Sequence, residues 1–169
     1  PVSWNQVVSM RDYPGADGHA PYTEGLFVGY RDADAHHWEP EFPFGFGLSY
    51  TTFTQSAPRL SATRLAPGET IRVAVDVANT GPRAGAEVVQ AYLEPIDPAI
   101  PRPPRELFAF AKIHLAPGEQ RTVTLDLRYQ DLLTYDPESA AWLVESPAFR
   151  VATGSHSRDL RRSAVISPA

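Results

Sequence analysis

"TIRVAVDVAN", Thr70 to Asn79, places Ile71, Val73, Val75 and Val77 at alternate positions, with Arg72, Ala74, Asp76 and Ala78 between them. A strand turns successive side chains to opposite faces, so a period of two sends the four β-branched residues into one apolar surface. "RTVTLDL" (121–127) repeats the pattern: Val123, Leu125 and Leu127 point inward, Thr122, Thr124 and Asp126 outward. "EVVQAYL" (87–93) is apolar on both sides, as a central strand would be, and "ELFAFAKIHL" (106–115) and "AFRVATG" (148–154) supply further strands. Seventeen prolines and eleven glycines punctuate the 169 residues into short pieces, and no window carries the i, i+3, i+4 apolar repeat of a long helix. The pattern predicts an all-β fold: an immunoglobulin-like or fibronectin type III-like β-sandwich of about seven strands between Thr51 and Ile166.

The pentapeptide "LAPGE" occurs twice, at 65–69 and 115–119, each time ahead of an alternating strand. Proline presets φ and glycine accepts φ > 0, which suits the two central positions of a type II turn. The two copies are expected as corresponding turns at one end of the sandwich. "GSHSRD" (154–159) is expected to close a turn before the last strand, and "PRPPRE" (101–106) to be a stiff connection between strands.

The first fifty residues differ. "RDYPGADGHAPYTEG" (11–25) is turn-rich, "LFVGYR" (26–31) is a strand candidate, and "DADAHHWEPE" (32–41) is polar. They are too polar to form a core of their own and are expected to lie against the sandwich or another domain. The net charge of −5 and pI near 5.5 argue against a nucleic-acid partner, and no apolar run reaches the roughly 18–20 residues that a membrane-spanning helix needs. With no cysteine, thiol chemistry and disulfides are excluded, while the compartment stays open. The chain begins at Pro1 without an initiator methionine or signal segment, so a piece of a longer polypeptide is expected.

Asp32, Asp34, His36, His37, Glu39 and Glu41 are the densest group of possible ligands. A calcium loop wants glycine at its sixth position and glutamate at its twelfth, where this chain has His37 and Pro43. Adjacent histidines in an extended segment point apart, which does not suit zinc. A solvated acidic loop is the expectation, with no metal and no cofactor. Asp17, Glu24, Asp34, Glu39 and Glu41 offer carboxylates for a two-carboxylate hydrolase, though nothing in their spacing requires a pair 5–10 Å apart. No G-x-S-x-G is present. Trp142 is assigned to the core; Trp38 is left open as a possible sugar-stacking ring.

Several separated motifs then point to a family. "YTEGLFVGYRDAD" (22–34) and "FPFGFGLSYTTF" (42–53) resemble the segment that leads out of the second domain of family 3 glycoside hydrolases of the β-glucosidase type. "EVVQAYLEP", "PRPPRELFAFAKIHLAPGEQRTVTLDL", "WLVE" and "GSHSRDLR" resemble, in order, that family's C-terminal fibronectin type III-like domain. Asn5 departs from the family pattern, which usually continues with proline there. "SPAFRVATG" lacks the usual Pro-Gly-Glu-Tyr turn, so a looser corner is expected at 146–148.

The resemblance implies that residues 1–50 are the end of an upstream α/β domain with an aromatic connector, and residues 51–169 the sandwich. It implies a retaining exo-glycosidase parent without cofactor, acting on a β-glucoside or related oligosaccharide. The parent's nucleophilic aspartate and acid/base glutamate would lie upstream, so no residue of this chain is assigned a catalytic role. Its expected partners are the upstream catalytic domains of the same polypeptide. A stand-alone carbohydrate- or protein-binding sandwich, and a small hydrolase built on the 32–41 cluster, are the alternatives.

Overall fold

The computed structural model describes residues 12–169, apart from the side chains of residues 162–164; Asn5 lies outside the described residues. Among the described residues eleven strands, one short α-helix, α1 (Tyr30–Ala35), and one 3-10 turn (Tyr129–Leu132) are found; the strands are, in chain order, β1 (Phe53–Gln55), β2 (Arg59–Leu60), β3 (Arg64–Leu65), β4 (Thr70–Asn79), β5 (Gly85–Ile96), β6 (Glu106–Leu115), β7 (Gln120–Arg128), β8 (Thr134–Asp136), β9 (Ala141–Leu143), β10 (Ala148–His156) and β11 (Asp159–Pro168). In one sheet β4 is central, with β7 on one edge and β1 and β2 in succession on the other. Buried Pro58 explains the break between β1 and β2, since proline donates no ladder hydrogen bond. The facing sheet runs β3-β11-β10-β5-β6, antiparallel except for the parallel β3–β11 pair. Counted with β1 and β2 as one interrupted strand and β3 as an edge fragment, this is the seven-stranded sandwich that the alternation predicts.

The core follows from that alternation. Ile71, Val73, Val75 and Val77 of β4 are at most 1% exposed, and Val123, Leu125 and Leu127 of β7 lie beside them. They meet Val89, Ala91 and Leu93 of β5 and Phe149 and Val151 of β10. Full burial of each aliphatic side chain contributes roughly 1.5–3 kcal/mol against the entropy of ordering the chain. On the outer face of β4, Asp76 accepts from both guanidinium nitrogens of Arg59 (2.6 and 2.9 Å) and from the Thr122 hydroxyl (2.6 Å).

Both LAPGE segments form the expected turns: Gly68 and Gly118 have φ of 83° and 74°, and Glu69 and Glu119 each donate N–H to the alanine three residues back. Each glutamate carboxylate also accepts from that alanine's N–H (2.9 and 2.8 Å). They are not at one end of the sandwich, however. The first enters β4 and the second enters β7, and Thr70 pairs with Arg128 while Ala78 pairs with Gln120, so antiparallel pairing puts the turns at opposite ends. The second is anchored by Asn79, whose side-chain amide donates to Arg83 O and Leu115 O while its own N–H donates to Glu119 O.

The corner at 146–148 is closed rather than loose. Buried Ser146 accepts the Ile96 N–H, and its hydroxyl reaches Ile96 O (2.6 Å) and Ala148 O (2.9 Å). Trp142 is not core: it lies on the β8–β9 hairpin, 67% exposed, edge-on to Tyr135 at 5.6 Å. A lone tryptophan in a late strand is usually buried, but this strand belongs to a separate two-stranded ribbon.

Arg59 and Thr122 hold the Asp76 carboxyl down at about 2, below its ordinary 3.8. A carboxyl lowered by folding contributes stability above its unfolded value, and this fades as pH falls toward the folded one. Asp76→Asn should therefore lower the urea midpoint at pH 5, with the deficit shrinking toward pH 2; an equal deficit at both pH values would assign the effect to packing.

Candidate functional site

The polar cluster of the lead-in does not form a loop in solvent. "LFVGYR" is not a strand; Tyr30 and Arg31 instead open α1, which carries Asp32 and Asp34 with the two carboxylates 1% and 5% exposed as residues. Six residues cannot hold a helix in isolation, and its stability comes from what it packs on. That surface is the outer face of the five-stranded sheet. Along β5, Val89, Ala91 and Leu93 face the core, so Gln90, Tyr92 and Glu94 face the other way.

Tyr30 is the apolar anchor. Its ring stacks on Phe44 (4.7 Å) and meets Tyr92 edge-on (6.0 Å), and its hydroxyl accepts the N–H of Leu107 (2.9 Å). Tyr92 is fully buried beneath it, donates to the Gln90 amide oxygen, and has its phenol pushed up by burial. The Gln90 amide nitrogen donates to Ser155 O (2.8 Å) and approaches Gly45 O (3.4 Å), and the Ser157 N–H donates to Phe44 O (2.9 Å). A side chain at position 45 would collide with the Gln90 amide, so this close passage requires glycine.

Asp34 is the electrostatic centre. Arg105, from the proline-rich connection before β6, approaches one carboxylate oxygen at 3.0 Å, and Arg158, from the β10–β11 turn, approaches the other at 2.9 Å. Burial pushes the Asp34 carboxyl above the ordinary range, against the downward pull of Arg105 and Arg158. Arg105 also donates to Ser157 O. Arg158 reaches Trp38 O (2.9 Å), Ala33 O (3.4 Å) and Glu39 (3.5 Å), so its guanidinium serves carbonyls at the open C-terminal end of α1. His36 turns back on Asp32 (3.0 Å), and its ring lies 5.3 Å from Trp38.

The cluster thus splits. Asp34, Glu39 and the Trp38 carbonyl converge on Arg158, Asp32 pairs with His36, while His37 and Glu41 stay exposed. Asp17 sits in an exposed turn, and neither it nor Glu24 joins this network among the described residues. No three His, Asp or Glu side chains among the described residues are grouped to hold a metal ion. An open hollow lined by Asp12, Tyr13 and His19 contains none of the candidate carboxylates, and Asp12 there accepts from Thr23. Arg105, Arg158, Tyr30 and Gln90 escaped the sequence reading, although apolar residues on both sides of a central strand signal a second covered face.

On the far side of this junction the connector is open: Phe42 is 66% exposed, Leu48 92% and Tyr50 91%. A fibronectin type III-like domain model matches residues 87–157, covering β5 to the β10–β11 turn. The chain is 44% identical to a β-glucosidase of Rhizobium radiobacter over 91% of its length, and 36% identical to an exo-α-(1→6)-L-arabinopyranosidase of Bifidobacterium breve over 99%. It superposes on the GH3 β-glucosidase of Bifidobacterium adolescentis with a TM-score of 0.91 at 36% identity, over 99% of this chain and 24% of that one. The chain belongs to family 3 of the glycoside hydrolases and corresponds to their C-terminal part. It spans about a fifth of the length of the two curated relatives, 19% and 22%.

Removing one partner of a buried ion pair leaves uncompensated charge. Asp34→Ala should therefore destabilise this family 3 chain by about 3–5 kcal/mol in urea unfolding. Glu41→Ala, at an exposed position of the same cluster, should stay within about 0.5 kcal/mol of wild type.

Proposed function

We propose that the chain is the C-terminal accessory domain of a retaining, exo-acting β-glucosidase-like hydrolase whose catalytic carboxylates lie upstream. On this reading residues 1–50 are the end of the preceding α/β domain and its connector, residues 51–169 are the sandwich, and the partners are the catalytic domains of the same polypeptide. The observation that carries it is the match of nearly the whole chain to about one fifth of each relative, together with a connector whose aromatic side faces outward. An apolar strip of this kind commonly marks a contact surface. Relatives named for a β-glucosidase and for an arabinopyranosidase share this tail, which supports placing sugar choice elsewhere in the parent. A terminal β-glucoside is the proposed substrate class.

The purified chain should release no p-nitrophenol from p-nitrophenyl β-D-glucopyranoside above the buffer rate. Turnover that disappears on Glu39→Gln or Glu41→Gln would overturn the proposal in favour of a self-contained hydrolase.

A second reading, a module that grips carbohydrate, is favoured by one observation. Tyr135 and Trp142 are cross-strand partners on a hairpin whose turn is held by Asp136, which accepts from the Ser139 hydroxyl (2.5 Å) and the Glu138 N–H (3.1 Å). Exposed, orientationally fixed aromatic rings suit stacking on a sugar face. On that reading the chain is retarded in glucan-containing native gels and Trp142→Ala abolishes the retardation; unretarded migration of the wild type removes it.

A further inference from the structure

Division by sequence resemblance separates residues 1–50 from residues 51–169, but the contacts divide the chain elsewhere. From Tyr30 to Phe46 nearly every anchoring interaction crosses to the sandwich. The Tyr30 ring lies on Tyr92, Asp34 lies between Arg105 and Arg158, and Phe46 meets the His156 ring at 5.5 Å. Arg31 approaches Glu106 at 3.6 Å. Ahead of Tyr30 the side chains turn to solvent: Tyr13 is 70% exposed, Tyr22 83%, Leu26 50% and Val28 45%.

We infer that residues 30–46 are a strap belonging to the folding unit of the sandwich, and that the mechanical joint to the upstream domain lies ahead of Tyr30 rather than at residue 50. This rests on the accessory-domain reading for the existence of an upstream partner; the docking of the strap does not. The strap is two-sided. Its inner side meets polar groups of the outer face of β5 and of two arginine-bearing loops: Gln90, the Leu107 and Ser157 N–H groups, Arg105 and Arg158. Its outer side carries Phe42, which packs against Phe46 at 5.3 Å, as a rigid part of the sandwich surface. An upstream domain would therefore meet a preformed face rather than a tether that folds on contact.

Two backbone amides report strap docking in the full chain, because their acceptors lie on the strap: Leu107 N–H on Tyr30 Oη and Ser157 N–H on Phe44 O. Hydrogen exchange by NMR should find both protected in the wild type. Asp34→Ala or Phe44→Ala should raise both exchange rates together, by at least about tenfold, while Val75 N–H in the β4–β7 ladder changes less. If Asp34→Ala unfolds the chain, so that Val75 loses protection as well, the milder Phe44→Ala variant decides. Exchange of Leu107 and Ser157 at the rate of unprotected amides in the wild type overturns the inference, as does acceleration of only one of them. Inactivity of the isolated chain on an aryl glucoside tests the accessory-domain reading and leaves this result unaffected, so the two fail separately.

Discussion

Two sheets that bury their apolar sides against each other are each left with a second face, and this molecule treats its second faces in opposite ways. The outer face of β4 is wet, and there Asp76 pairs with Arg59 of β2 and accepts from the Thr122 hydroxyl of β7. The outer face of β5 carries Gln90, Tyr92 and Glu94 and is roofed by the lead-in. The apolar seam sets this up, because strands that must present Val89, Ala91 and Leu93 inward cannot choose where their alternate residues point. The docking of residues 30–46 follows from that second face.

Burying a carboxylate is costly, and two guanidinium groups at about 3 Å, both held in place by other bonds, offset part of that cost. Arg105 is fixed by Ser157 O and Arg158 by the carbonyls of Ala33 and Trp38. Arg102 repeats the device three residues before Arg105. Nearly buried, it pairs with Glu106 (2.6 Å) and Glu145 (2.9 Å), donates to Leu132 O and lies over the Phe149 ring. The proline-rich connection thus works as an arginine-bearing brace, joining the sheet edge, the lead-in and the segment that launches the β8–β9 hairpin.

Strand content and core were legible in the sequence wherever alternation was strict, as in β4 and β7, because one pattern admits one orientation. Where both faces are covered, as in β5, alternation is masked, and Gln90 and Tyr92 read as part of an apolar run. α1 was illegible for a different reason: a six-residue helix has too few turns for periodicity, and Asp34 resembles a loop residue until Arg105 and Arg158 arrive from 71 and 124 positions away. The two LAPGE turns show the limit of local similarity. Identical pentapeptides make identical turns, but only strand pairing decides which end of the sheet each occupies. The family motifs supplied what the physics of this chain alone did not, a place within a larger enzyme.

The last strand closes beside the first part of the sandwich in parallel. Ser167 and Pro168 lie opposite Arg64 and Leu65, with Ser167 N–H on Thr63 O and Ala169 N–H on Leu65 O. Tension applied between Thr63 and the C-terminus would pull β3 and β11 in opposite directions along their length. Their hydrogen bonds would then be loaded side by side in shear instead of opening one at a time like a zip. Parallel pairing thus decides in which geometry the closing strand would answer a load on the C-terminus.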